Sequence, residues 1–188
     1  MALGSCPRYG DISCSEFHGP SRRLTPCTLH ILGGIRNVGG GYHDCFCICV
    51  RGHVTLQQFV EAFYTSRLFR VERALLRVFL AFPSSDADAR GLARGTRDTF
   101  AAWYAEARTA TELLMCDRYE RTRSWFRIAP HGDGGTEICF GTAVAGRRRA
   151  DECFEMSLSF HVLRGFHVLY SQMLLRAAAR SLDVRRRR

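Results

Sequence analysis

The sequence predicts an α+β fold in which a curved antiparallel sheet packs on a long C-terminal helix. Three observations carry that expectation. Apolar and small residues alternate from Tyr42 to Val50, a period of 2 returns through residues 99–145, and an apolar stripe of period 3.6 runs through 157–182. Side chains alternate between faces on a strand and recur every three or four positions on one side of a helix, so each change of period marks a change of element.

Residues 1–41 carry Pro, Gly, Ser and scattered Arg without a sustained period, and end in Gly39, Gly40 and Gly41. They read as a poorly ordered extension ahead of one domain over 42–182, with 183–188 as a basic tail. In the first strand Phe46, Ile48 and Val50 alternate with Cys45, Cys47 and Cys49, so both faces suit burial. Thr55 then opens a helix over 56–64: its hydroxyl accepts from the Gln58 amide, Gln58 reaches back, and Val54 staples onto Phe59. A second helix over 67–82 places Leu68, Val71, Leu75, Val78, Phe79 and Phe82 on one stripe, and Pro83 ends it. Ser85 and Asp88 start a short third helix that stops near Gly95, where glycine takes positive φ.

Four strands follow, near 101–109, 111–117, 121–129 and 136–144, pairing as a meander. The turn HGDGG at 131–135 is the strongest local signal in the chain, because Asp-Gly and Gly-Gly supply the positive φ angles of a tight hairpin. The terminal helix over 157–182 has the stripe Leu158, Val162, Phe166, Leu169, Met173 and Ala177, widened by Leu163, Tyr170 and Leu174. Strand, helices, meander and long helix in that order make a helix-grip-like arrangement. The further strands of a full grip would come from 24–40, for example 29–35, or the sheet is smaller.

The formal charge is +9, yet all 27 basic residues are arginine and seven of them lie in the runs 147–149 and 185–188, which leaves +2 for the remainder. A nearly balanced body argues against nucleic acid as the principal partner. The chain shows no apolar run of a secretory leader and no span of ~20 nearly uncharged residues, so a cytoplasmic location without a transmembrane segment is predicted. Nine cysteines with no CxxC pair fit reduced thiols rather than a disulfide framework. His43, Cys45, Cys47 and Cys49 share one strand face, but neighbours at i and i+2 stand roughly 6.5–7 Å apart. Sulfurs on one zinc ion need less than about 4 Å. The cluster therefore reads as small residues on a packed strand, with no metal or cofactor implied.

Phosphate loops, nucleophile elbows and HExxH helices are absent from the sequence. Candidate ligand-binding residues come instead from faces that mix aromatic and ionisable groups, as a cavity does. One face of the third meander strand carries Arg123, Trp125 and Arg127, and one face of the first carries Phe100, Tyr104, Glu106 and Arg108. The plainer reading is an exposed face on which Glu106 pairs with a neighbouring arginine. Phe166, His167 and Tyr170 add a histidine and a phenol along the terminal helix. Tyr104, Glu106, Trp125, Arg127, Phe166, His167 and Tyr170 are thus the predicted ligand-binding set.

The segments EAFYTSRLFRVERALL from Glu61, DRYERTRSWFRI from Asp117, FGTAV from Phe140 and GFHVLYSQMLLRAAA from Gly165 resemble an uncharacterised group of bacterial proteins. That group is similar to the helix-grip superfamily of START-like and polyketide-cyclase-like proteins, and the resemblance covers 42–182. It supplies no catalytic residues to carry over; the strand–helix–helix–meander–helix order and the aromatic residues beside isolated charges predict a cavity between sheet and terminal helix. The leading expectation is binding of a lipid-like or other apolar small molecule there. A cyclase- or hydrolase-type enzyme using Glu106 or His167 is the second expectation, and an arginine-run module for nucleic acid or anionic membrane the third.

Overall fold

The computed structural model describes residues 25–26, 42–80, 82–132, 134–144 and 158–186. The elements are β1 (Thr25–Pro26), β2 (Tyr42–Val50), α1 (Leu56–Tyr64), α2 (Arg67–Leu80), α3 (Asp86–Arg94), β3 (Thr99–Phe100), β4 (Trp103–Arg108), β5 (Glu112–Asp117), β6 (Thr122–His131), β7 (Gly135–Val144) and α4 (Leu158–Arg186). All strands pair antiparallel, in the order β1-β2-β7-β6-β5-β4-β3, in a curved and unclosed sheet. The fold is α+β, as predicted. Among the described residues no helix is long and apolar enough to cross a membrane.

Local chemistry sets the boundaries. Both capping boxes form, with Thr55 and Gln58 opening α1 and Ser85 and Asp88 opening α3, while Gly95 ends α3 at φ 74°. Gly134 takes φ 71° in the β6–β7 hairpin. Val54 donates its amide to the Thr136 hydroxyl, which donates on to the Gly52 carbonyl, and so ties the approach to α1 onto β7. The only part of 24–40 among the described residues is β1, whose register pairs Thr25 with Cys47; the expected strand at 29–35 lies outside them. The helix α4 continues through 183–186, into what the sequence suggests as a tail.

One sheet face carries the core. Phe46, Ile48, Leu113, Met115, Phe126, Ile138 and Phe140 meet Phe59 and Phe63 of α1 and Leu174, Leu175, Ala178 and Leu182 of α4. Phe63 is its centre, with ring centroids 4.9 Å from Phe126 and 4.6 Å from Phe140. The other face has a smaller cluster of Cys45, Cys47, Leu114, Trp125, Cys139 and Ala143.

Three expectations are corrected here. Val71, Leu75 and Val78 of the α2 stripe are 60%, 53% and 75% exposed, because α2 meets the core at its first turn, where Leu68 packs and Phe69 is buried. On α4 the buried side is Ser171, Leu174, Leu175, Ala178, Ala179 and Leu182, while Leu169 and Met173 are exposed; the side chains of 158–166 lie outside the described residues. Reduced thiols are overturned for Cys47 and Cys139, which the register sets opposite one another, Cα atoms 4.1 Å apart, as a disulfide. Facing side chains come closest at the non-hydrogen-bonded positions of an antiparallel pair, and such partners are invisible along one strand. Cys45 is disulfide-bonded as well.

Candidate functional site

Where β6 and β7 run under α4, the core is incompletely filled and leaves a cavity of about 210 Å³. Its apolar wall comes from Phe63, Tyr64, Phe69, Trp103, Phe140 and Leu174, and its polar groups from Glu72, Thr122, Ser124, Thr142, His167, Tyr170 and Ser171. Aromatic walls joined by convergent polar groups are the composition of small-molecule sites generally.

Two polar assemblies reach this cavity. In the first, the strand register places Asp44 of β2 beside Thr142 of β7, and Asp44 Oδ1 accepts from the Thr142 amide at 3.2 Å and from its hydroxyl at 2.6 Å. The same hydroxyl lies 2.7 Å from Nε2 of His167 on α4. A hydroxyl carries a single hydrogen and a carboxylate only accepts, so with Asp44 ionised the Thr142 proton points to Asp44 and His167 Nε2 donates. The imidazole is thereby oriented by the sheet.

In the second assembly the Tyr170 hydroxyl of α4 donates to the Glu72 carboxylate of α2. Burial pushes the Glu72 carboxyl above its ordinary range, and the Tyr170 hydrogen bond opposes that only in part. Burial and the neighbouring Glu72 charge push the Tyr170 phenol up as well, and Tyr64 is raised mainly by burial. A carboxyl with a raised affinity for its proton, a phenol and an oriented imidazole therefore line one cavity.

Of the predicted residues, the structure brings His167 and Tyr170 to the cavity. The side chain of Phe166 lies outside the described residues. Tyr104, Glu106, Trp125 and Arg127 are on the opposite face of the sheet, which corrects the expectation that the mixed faces enclose a ligand. Glu106 is taken by Arg123 in a two-pronged pair at 2.7 and 3.0 Å. Trp125 is 1% exposed, and its indole N–H lies 3.4 Å from a Glu112 oxygen that it donates to. Arg127 lies 3.8 Å from the same Glu112 carboxylate. Tyr104 is raised to about 12, first by its hydrogen bond with Cys116.

Two irregularities correct the predicted grouping of Phe100, Tyr104, Glu106 and Arg108: the turn from β3 to β4, which sets Phe100 opposite Trp103, and a bulge within β4. Register shifts between Ala105 and Ala107, so Glu106 is the extra residue and the alternation reverses after it. Arg108 consequently turns to the helix side, where it donates to the Leu92 carbonyl of α3 at 2.6 Å, and Phe100 sits in the core.

Sequence reading missed Glu72, Thr142 and Asp44. Two carried a signal: Glu72 is the only acid of α2, among four arginines, and Asp44 shares the alternate positions of Phe46, Ile48 and Val50. Thr142 carried none, since its role comes from the register. Compared with protein-family models, curated proteins and solved structures, the chain has no match.

Proposed function

We propose that the cavity between the sheet and α4 binds a small, largely apolar molecule that presents one carbonyl or hydroxyl group to Glu72, Tyr170 and His167, in a protein of helix-grip type. The observation that carries this reading is the gathering of these groups at one aromatic-walled cavity of about 210 Å³. Its size selects among apolar ligands. An apolar cavity of roughly 150 Å³ accommodates benzene, and drug-sized sites take about 300–1,000 Å³. The space therefore suits a one-ring or short branched molecule better than an extended acyl chain. Native mass spectrometry of protein purified from its host tests the reading. A stoichiometric small molecule released on denaturation supports it. A bare mass, together with no saturable change in Trp103 fluorescence on titration with phenol, overturns it.

A second reading, a cyclase- or hydrolase-type enzyme, is favoured by Glu72, whose affinity for its proton burial raises, beside Tyr170 with His167 in the same cavity. Burial that raises a carboxyl's affinity for its proton is one way a general acid or base is tuned toward working pH. The residues for that chemistry are Glu72 and His167, not Glu106. Once a ligand is in hand, Glu72→Gln separates the readings: turnover falls by a factor of about 10² or more if Glu72 transfers a proton, whereas a binding protein has no turnover to lose.

A further inference from the structure

Glu137 is 9% exposed on the sheet face opposite the cavity, and among the described residues no cation pairs with it. A carboxylate removed from water with no compensating charge is costly, so its surroundings bear on what it serves. Its neighbour within hydrogen-bonding range is Cys139 Sγ, 3.5 Å from Oε1. As a disulfide sulfur, that atom has no proton to give. Cys47, 1% exposed, faces Cys139, 0% exposed, across the ladder, and ligand atoms of Cys47, Glu137 and Cys139 all lie within 4.8 Å of one another.

We propose that, with the Cys47–Cys139 disulfide reduced, these two thiolates and the Glu137 carboxylate form a site for zinc or a similar divalent ion of intermediate softness. Bond lengths of about 2.3 Å to sulfur and 2.0–2.2 Å to oxygen set tetrahedral S···O and S···S separations of roughly 3.5 and 3.8 Å. The S···O spacing is already met between Cys139 and Glu137, and opening the disulfide lets the sulfurs move apart on strands whose Cα atoms are 4.1 Å distant. The single-strand objection to the Cys45, Cys47 and Cys49 row does not apply. Here one pair is cross-strand, and the longer glutamate arm spans the i, i+2 gap to Cys139. Two thiolates and a carboxylate leave a net charge of −1 around a divalent ion.

The chemistry balances in two steps. A small dithiol reduces the disulfide by exchange: the S–S bond breaks, two electrons and two protons pass to Cys47 and Cys139, and the dithiol becomes a disulfide. The metal ion then displaces two thiol protons and forms two metal–sulfur bonds, leaving one tetrahedral position for water.

Cobalt(II) titration of the full chain, dithiol-reduced and desalted without oxygen, tests this. One equivalent should bind with the intense thiolate-to-cobalt absorption of a tetrahedral site, and the oxidised protein should lack it. Glu137→Gln should weaken binding at least about tenfold, and the Cys47→Ser/Cys139→Ser double variant should abolish it. Failure of the reduced protein to bind, or an unchanged spectrum in the double variant, overturns the proposal. Should the variants not fold, alkylation of the wild type decides. Zinc should protect Cys47 and Cys139 from iodoacetamide, as read by peptide mass mapping, and equal labelling with and without zinc rejects the site.

Discussion

Nε2 of His167 lies 2.7 Å from the hydroxyl of Thr142, a contact that joins α4 to the middle of the sheet. Because that hydroxyl spends its proton on Asp44, His167 should carry a hydrogen on Nε2, and imidazole ¹⁵N shifts read this directly. Thr142→Val removes the bridge and takes the hydroxyl donor from a part-buried Asp44 oxygen, at a cost of about 1–3 kcal/mol in urea unfolding. The Nε2–H signal of His167 should also change. A variant as stable as the wild type, with unaltered shifts, would show that the bridge is not formed in solution.

Glu72 gives the protein a pH dependence whose sign is fixed by its direction of shift. Its folded carboxyl is raised by burial, so the folded state holds the proton over a range where the unfolded chain has released it. This stabilisation is fully present below the unfolded carboxyl range and is lost as pH rises through the folded one. Glu72→Gln removes the titration while keeping an acceptor for Tyr170. The wild-type-minus-variant difference in unfolding free energy should therefore fall with rising pH from about 4.5 upward. A difference constant with pH would contradict the assignment.

Gly141 is held by space rather than by backbone conformation. A Cβ there would lie 3.0 Å from the Asp44 carbonyl oxygen and 3.4 Å from the Trp125 ring. The carbonyl belongs to the neighbouring strand and the indole is buried, so neither yields easily. Gly141→Ala should cost about 1–3 kcal/mol by denaturant unfolding, although alanine normally suits a strand better than glycine. A gain in stability would mean that Trp125 moves aside.

The fold was legible because periodicity reports what a single element buries, and most elements here bury one face. The capped starts of α1 and α3, the β6–β7 hairpin and the strand Tyr42–Val50 all follow from residues close in sequence. The site was harder to read because it is assembled by pairing. Asp44 meets Thr142 across 98 positions, and Glu72 meets Tyr170 across the same separation. Tyr104, Glu106, Trp125 and Arg127 look like a cavity wall only while it is unknown which sheet face carries the helices. The bulge at Glu106 defeats alternation outright, since one extra residue turns Arg108 to the opposite face.

The α2 helix supplies the sharpest contrast between pattern and packing. Its stripe of Val71, Leu75 and Val78 has the spacing of a core face, yet these side chains are exposed while Phe69 on the same helix is buried against Tyr64 and Phe100. Converting the three exposed residues to glutamine removes little apolar area from the core, so each change should shift stability by no more than about 0.5 kcal/mol. Phe69→Ala should cost about 3–5 kcal/mol through lost burial and the void it leaves. Urea unfolding of the triple variant and of Phe69→Ala tests both sides. If the triple variant loses as much as Phe69→Ala, the exposed stripe of α2 is covered in solution.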